Sequence, residues 1–398
     1  MRPSAFLAGL LVWAAAASAQ PDPRAEAVCG QANRIAEELT RISGMKLRHE
    51  VPCGFISKQK INEYLKRRVR DVASPEEIRA EELTLKKFGF VPQDFDLARS
   101  TVDLRGCGTA LVTPFRQDGT VDDAALRRLV QFQLREGIDF LVPCGTTGET
   151  PTLEHGEYTG IIRLVVEEAA HKVPVIAGVG GNNTRKLAAL AEEVTGLGVQ
   201  GILSVAPYYN KPTQEGLYQH FKAIAEATDL PMIVYNVPGR TSSNIEPVTV
   251  ARLAKISNII GIKEASGSIT QQMEVLAAVG PDFRVLSGDD AFTFPLMALG
   301  GTGIISVVSN EIPGLMTKLA QLMLEGKIGE ARMLHFQLLP LMQANFVETN
   351  PIPVKAALAM MGMIEEVYRL PLVPMKPENR AKLEKALAAQ GLLQAQKV

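Results

Sequence analysis

The chain has 398 residues, enough for two or three domains or for one large α/β barrel with additions. Lys and Arg number 42 and Asp and Glu 43, a formal net charge of −1 that argues against a nucleic-acid binder or a polybasic membrane protein. A hydrophobic content of 46% excludes a disordered chain, and four Cys in this length exclude a disulfide scaffold.

Residues 1–19 read as a secretory signal. Arg2 supplies the positive start, the apolar run 5–17 is too short to span a bilayer, and Ala17-Ser18-Ala19 gives the small-x-small cleavage pattern. Residues 20–104 form a charged, helix-prone extension to which no function is assigned. Its basic cluster, Lys66-Arg67-Arg68 with Arg70, is followed at once by Glu76, Glu77, Glu81 and Glu82, the pattern of a solvated helix face rather than a nucleic-acid patch. Ser74-Pro75-Glu76-Glu77 is a helix start, with a capping Ser, Pro in the first turn and acids near the positive end. Cys29 and Cys53 can pair if the segment is exported.

From residue 105 onward short apolar runs alternate with helical patterns. Eight strands are expected, at 108–113, 140–144, 173–178, 201–205, 232–235, 259–263, 284–287 and 303–307. Apolar residues at helical spacing fill gaps between them, as at Leu187, Leu190, Ala191 and Val194. Eight parallel strands with helical crossovers predict a (β/α)₈ TIM barrel over 105–309, ahead of a doubly wound open sheet. Helical stretches over 310–398 predict a C-terminal helical region.

In such a barrel, chemistry sits at the C-terminal strand ends. The second ends in Cys144-Gly145-Thr146-Thr147-Gly148-Glu149, whose hydroxyls and close backbone suit a carboxylate, although such a turn can be purely structural. Tyr208-Tyr209 follows the fourth. Tyr235-Asn236-Val237-Pro238-Gly239-Arg240 closes the fifth, joining a proton-carrying phenol to a carboxylate clamp; singly, each Tyr can equally be a packing residue. The sixth ends in Lys263. A buried Lys sheds its proton readily and becomes a nucleophile toward carbonyls; the plain alternative is a Lys reaching solvent or paired with Glu264. Gly178-Val179-Gly180-Gly181 is no dinucleotide fingerprint, since Asn183 stands where the third Gly belongs. Asp289-Asp290 has no His beside it, and His49, His155, His171, His220 and His335 lack ligand spacing, so no metal is expected. Cys144, without a neighbouring His motif, reads as a small apolar filler.

Taken together, Gly-Thr-Thr-Gly-Glu at 145–149, Pro-Tyr-Tyr-Asn-Lys-Pro at 207–212, Tyr-Asn-Val-Pro-Gly-Arg-Thr at 235–241, Gly-Ile-Lys-Glu-Ala at 261–265, Leu-Ser-Gly-Asp-Asp at 286–290 and Asn-Pro-Ile-Pro-Val-Lys at 350–355 resemble the dihydrodipicolinate synthases (4-hydroxy-tetrahydrodipicolinate synthases) of the pyruvate-dependent aldolase superfamily. The resemblance spans about 105–393. Arg240 narrows it to the synthases, because the sialic-acid lyases and sugar-acid aldolases generally differ there.

The resemblance implies that Lys263 forms a Schiff base with pyruvate and that the enamine attacks aspartate-4-semialdehyde, on the route to diaminopimelate and lysine. It implies a relay of Thr146, Tyr209 and Tyr235, with Tyr209 supplied by a neighbouring subunit of a homotetramer built from two tight dimers. Thr147 would hold the pyruvate carboxylate, Arg240 the semialdehyde carboxylate, and Ile305 would line the pocket. No metal, organic cofactor, nucleic acid or membrane enters this scheme. In lysine-regulated bacterial members a His and a Glu stand at the positions of Tyr158 and Lys186, whereas His155 and Asn182 match; Lys186 should repel a lysine ammonium. A biosynthetic enzyme implies the cytoplasm, where the semialdehyde is made, while the signal-like start implies export. Two other readings stand beside the synthase: a retro-aldol lyase of a sugar acid, and an exported, non-catalytic binding barrel.

Overall fold

The computed structural model describes residues 104–393, together with 83, 86, 87 and 102. The signal-like segment, the basic cluster, the helix start at Ser74 and the Cys29–Cys53 pairing lie outside the described residues. The chain divides into two compact units, Met1–Thr101 and Val102–Val398.

The second unit is an eight-stranded parallel barrel. Its strands are β1 (Gly106–Ala110), β2 (Phe140–Val142), β3 (Ile176–Gly178), β4 (Gly201–Val205), β5 (Met232–Asn236), β6 (Ile259–Glu264), β7 (Arg284–Ser287) and β8 (Gly303–Ser306). Their order is β2-β1-β8-β7-β6-β5-β4-β3. The β1–β8 ladder, with Gly106 opposite Gly303, and a parallel bridge from Leu141 to Val175 bring the ends of the sheet together. An open doubly wound sheet is thereby overturned, since its first and last strands could not pair.

The helices are α1 (Asp123–Arg135), α2 (His155–Ala169), α3 (Thr184–Thr195), α4 (Gln214–Ala225), α5 (Pro238–Thr241), α6 (Pro247–Leu253), α7 (Ile269–Ala278) and α8 (Thr293–Ala298). After β8 come α9 (Pro313–Leu324), α10 (Ile328–Ala344), α11 (Ile352–Met360) and α12 (Pro377–Ala389). Local chemistry starts them. Asp122 caps α1 by accepting from the Ala125 amide, Asn183 caps α3 from Lys186, and Pro opens α9 and α12 where no N–H is needed.

Strands buried on both faces read as short apolar runs because one face fills the barrel and the other meets the helices. Phe140, Ile176, Leu203, Ile233 and Leu286 occupy the interior with Tyr235 and Ile305. Gly108 leaves room for the Phe140 ring, which an added Cβ would approach to 2.0 Å. β1 ends at Ala110, three residues before the expected boundary. Beyond it the Val112 amide donates to the Asn310 side chain at 3.2 Å rather than to a strand. The C-terminal helices belong to the same body: Val354, Leu358 and Ile364 pack on Val112, Ala125, Leu129 and Val307. Cys107 and Cys144 are buried free thiols, and Cys144 Sγ faces the Tyr158 carbonyl at 3.8 Å, as suits an apolar filler. Among the described residues, no helix is long and apolar enough to cross a membrane.

Candidate active site

β6 runs Ile-Ile-Gly-Ile before Lys263, so the strand itself drives the lysine to the barrel mouth with its stem inside. Lys263 is 5% exposed. Burial pulls its pKa down to about 7; Asp290 opposes that shift and Arg240 adds to it. The pairing with Glu264 does not form. The Glu264 carboxylate is taken by the Ser266 amide (2.6 Å), Asn236 Nδ2 (3.0 Å) and Gln271 Nε2 (3.3 Å). Gly288 lets the chain pass close to the lysine stem, since a Cβ there would lie 3.0 Å from Lys263 Cε.

Tyr235 is in register with Lys263 on the neighbouring strand, and the Lys263 Nζ sits 4.4 Å from the centre of its ring. Burial pushes the phenol up to about 12, so it stays protonated and available as a proton donor. Behind the lysine, Asp290 is buried at the end of β7 and accepts from Ser306 Oγ (2.5 Å), the Val307 amide (3.1 Å) and the Val308 amide (3.2 Å). It thus ties the end of β7 to the end of β8, where Ile305 is buried. Burial raises the Asp290 pKa to about 6.

The loop after β2 folds as a 3₁₀ turn, Thr146–Gly148, ended by Glu149 in the left-handed region at φ 54°. Thr147 is buried and its hydroxyl accepts from Asn350 Nδ2 at 3.1 Å. Thr146 is half-buried. Arg240, on the one-turn α5, is exposed and donates from Nη2 to the Asn350 carbonyl at 3.3 Å. Asn350 therefore touches both carboxylate-binding candidates, and its Oδ1 is buried without a hydrogen-bond partner among the described residues. Asn350 opens the Asn-Pro-Ile-Pro-Val-Lys motif, but no role for it follows from the sequence alone.

Lys263, Tyr235, Ile305, Arg240 and the Thr146–Thr147 turn thus gather at the C-terminal end of the barrel. Tyr209 does not join them within one chain: it is 88% exposed on the loop between β4 and α4, at φ 77°. The residues of the lysine-pocket comparison differ in burial. Tyr158 is buried with its hydroxyl on the Gly178 carbonyl at 2.9 Å, whereas Lys186 and Asn182 are exposed and His155 faces Glu193 at 3.1 Å. Among the described residues, no three His, Cys, Asp or Glu side chains gather as a metal site.

A parallel barrel carrying a buried, readily neutral lysine beside a protonated phenol defines the class equipped for covalent chemistry on carbonyl compounds. The chain belongs to the dihydrodipicolinate synthetase family, whose model matches residues 103–390. It is 60% identical over 291 residues to 4-hydroxy-tetrahydrodipicolinate synthase of Koribacter versatilis, covering 73% of this chain and 97% of that one. The enzyme of the same name from Prosthecochloris aestuarii is 53% identical over 295 residues, covering 74% of this chain and 99% of that one. Among solved structures, dihydrodipicolinate synthase from Thermotoga maritima superposes with a TM-score of 0.71 at 48% identity, over 73% of this chain and 99% of the other.

Proposed function

We propose that this chain condenses pyruvate with L-aspartate-4-semialdehyde to give 4-hydroxy-tetrahydrodipicolinate. The neutral Lys263 amine attacks the pyruvate ketone and water leaves, forming an imine. Loss of a methyl proton gives the enamine, whose carbon attacks the aldehyde, and the new alkoxide takes a proton. The amino group of the semialdehyde then adds to the imine carbon, closing the ring and releasing Lys263. The imine is the electron sink throughout, so the scheme draws on neither metal nor organic cofactor.

In this reading Tyr235 and Thr146 pass protons to and from the reacting centre, with Tyr209 of a second subunit completing the chain. Hydroxyls suit that task because each can accept and donate at once. Thr147 holds the pyruvate carboxylate and Ile305 walls the pocket. Arg240 offers the semialdehyde carboxylate a planar two-point contact. The assembly is a homotetramer of two tight dimers acting in the cytoplasm. Arg240 and the relatives' shared activity favour synthesis over retro-aldol cleavage, and the lowered Lys263 pKa favours catalysis over mere binding.

The observation that carries the proposal is Lys263, buried at the end of β6 in register with Tyr235. Borohydride in the presence of pyruvate should add one reduced pyruvate to the protein, mapped to Lys263. Lys263→Ala should abolish the adduct and lower turnover by several orders of magnitude. Near-normal turnover in Lys263→Ala sinks the mechanism.

A further inference from the structure

The reaction scheme leaves unused the most deeply buried pair of opposite charges described in the barrel. Glu149 is 3% exposed and Lys355 is 0% exposed, and Lys355 Nζ contacts Glu149 Oε1. The two residues lie 206 positions apart, one in the loop after β2 and the other in the first turn of α11. A buried ion pair is weak evidence for stability, because removing two charges from water offsets much of their attraction. Its better-attested use is to fix one arrangement of the chain.

The geometry around the pair is built for that. Glu149 uses both oxygens: Oε1 meets Lys355 and Oε2 accepts from the Arg369 amide at 3.3 Å. The ammonium is packed beneath the Phe115 ring, 4.3 Å from its centre, and lies 5.5 Å from that of Tyr368. Within the loop, the Glu149 amide donates to the Thr146 carbonyl at 3.2 Å, and the Glu149 carbonyl accepts from Thr152 at 2.9 Å. Holding Glu149 therefore holds the turn that carries Thr146 and Thr147. Lys355 is equally bound to its surroundings, since its amide donates to the Pro351 carbonyl at 3.1 Å. The neighbouring Asn350 makes the 3.1 Å bond to the Thr147 hydroxyl. That hydroxyl accepts from Asn350 and so keeps its own proton to donate.

We infer that the Glu149–Lys355 pair is a positioning device for the pyruvate carboxylate. It locks the Thr146–Thr147 turn to the start of α11, so that Thr147 presents its hydroxyl proton to the substrate at a fixed place. The inference rests on the function proposed above. Glu149 is bonded directly into the turn that carries Thr147, whereas Arg240, among the described residues, makes no hydrogen bond to that turn and meets only the Asn350 carbonyl, so the pair acts chiefly on pyruvate rather than on the semialdehyde.

The test is steady-state kinetics and borohydride trapping on Lys355→Met and Glu149→Gln in the full chain. Each should raise the pyruvate KM by about tenfold or more and leave the semialdehyde KM within about twofold. Adduct formation at sub-saturating pyruvate should slow in proportion. A role confined to stability would lower Tm or the active fraction and leave both KM values alone, and that result overturns the inference. Each of these variants leaves one buried charge unmatched, which can prevent folding. Glu149→Asp keeps both charges and shortens only the reach; it should raise the pyruvate KM by about fivefold, and an unchanged KM there also overturns the inference. If the wild type itself traps no pyruvate, the functional reading fails and this one with it. If the wild type traps pyruvate and the variants do so with equal affinity, only this inference fails.

Discussion

Lys263 is held where water would not leave it neutral. Its free-amine fraction rises as pH climbs through about 7. The rate of pyruvate-adduct formation should therefore fall by about tenfold for each pH unit below that point and level off above it. Asp290 supplies the attraction that keeps this pKa from dropping further, so Asp290→Asn should move the inflection to lower pH. A shift to higher pH would contradict the assignment. The same burial has a thermodynamic consequence. The folded-state pKa lies below the ordinary lysine value of 10.5, so at neutral pH the unfolded chain binds more protons and stability rises with pH between about 7 and 10.5. Lys263→Met removes the cost of burying the amine, which is of order 5 kcal/mol below the folded pKa. Its Tm at pH 7 should exceed that of the wild type, and a lower Tm would show that Lys263 is not held against its solvation. Lys263 and Tyr235 were legible in sequence because each terminates a short apolar run. Asn350 was not, since its contact with Thr147 spans 203 residues and no local pattern encodes it. The Glu149–Lys355 pair was hidden for the same reason.

Strands and their order follow from apolar runs and the right-handed crossover, so the barrel was readable before its coordinates. Boundaries were less so. β1 stops where the Asn310 side chain takes the Val112 amide, and β3 starts three residues later than its apolar run because the Val175 amide donates to Gln200 Oε1 at 2.8 Å. Side chains from distant elements made these decisions. Glycine positions inside the barrel are a second feature that periodicity cannot rank. At Gly178 an added Cβ would fall 2.0 Å from the Cys144 carbonyl oxygen and 2.9 Å from the Gly145 nitrogen. These are backbone atoms of the segment leading into Thr146, so that segment must move. Gly178→Ala should cost about 1–3 kcal/mol or more and slow pyruvate-adduct formation. Gly160 provides the contrast, lying on α2 with nothing within 4 Å of its added Cβ. Gly160→Ala should stabilise by about 0.5–1 kcal/mol and leave adduct formation unchanged. Denaturant unfolding of both variants beside trapping assays checks the pair, and equal effects at the two positions would undo the argument.

At the scale of the whole molecule, Tyr209 is the residue the single chain leaves unexplained. A large phenol 88% exposed, at a positive φ that non-glycine residues seldom adopt, gains nothing from the fold of its own subunit. In the proposed assembly it is buried against the neighbour's Thr146 and Tyr235, so each site draws on two chains. An isologous pair makes that exchange reciprocal. Two inactive variants can therefore repair one another. Tyr209→Phe keeps its own Lys263 but sends a defective phenyl to its partner. Lys263→Ala has no working site but can lend a sound Tyr209. Random pairing of the two at equal amounts puts half the dimers in the mixed form, and each mixed dimer contains one complete site of two. Coexpression should restore about a quarter of wild-type turnover if the two-fold exchange holds. The trapped pyruvate should be confined to the Tyr209→Phe subunits, which alone retain Lys263. If Tyr209 instead served its own chain, no mixture could hold a complete site, and turnover would stay at the level of the separate variants. Dilution supplies the independent check: as the oligomer dissociates in the ultracentrifuge, specific activity should fall with it, and a monomer of full activity would refute the shared site.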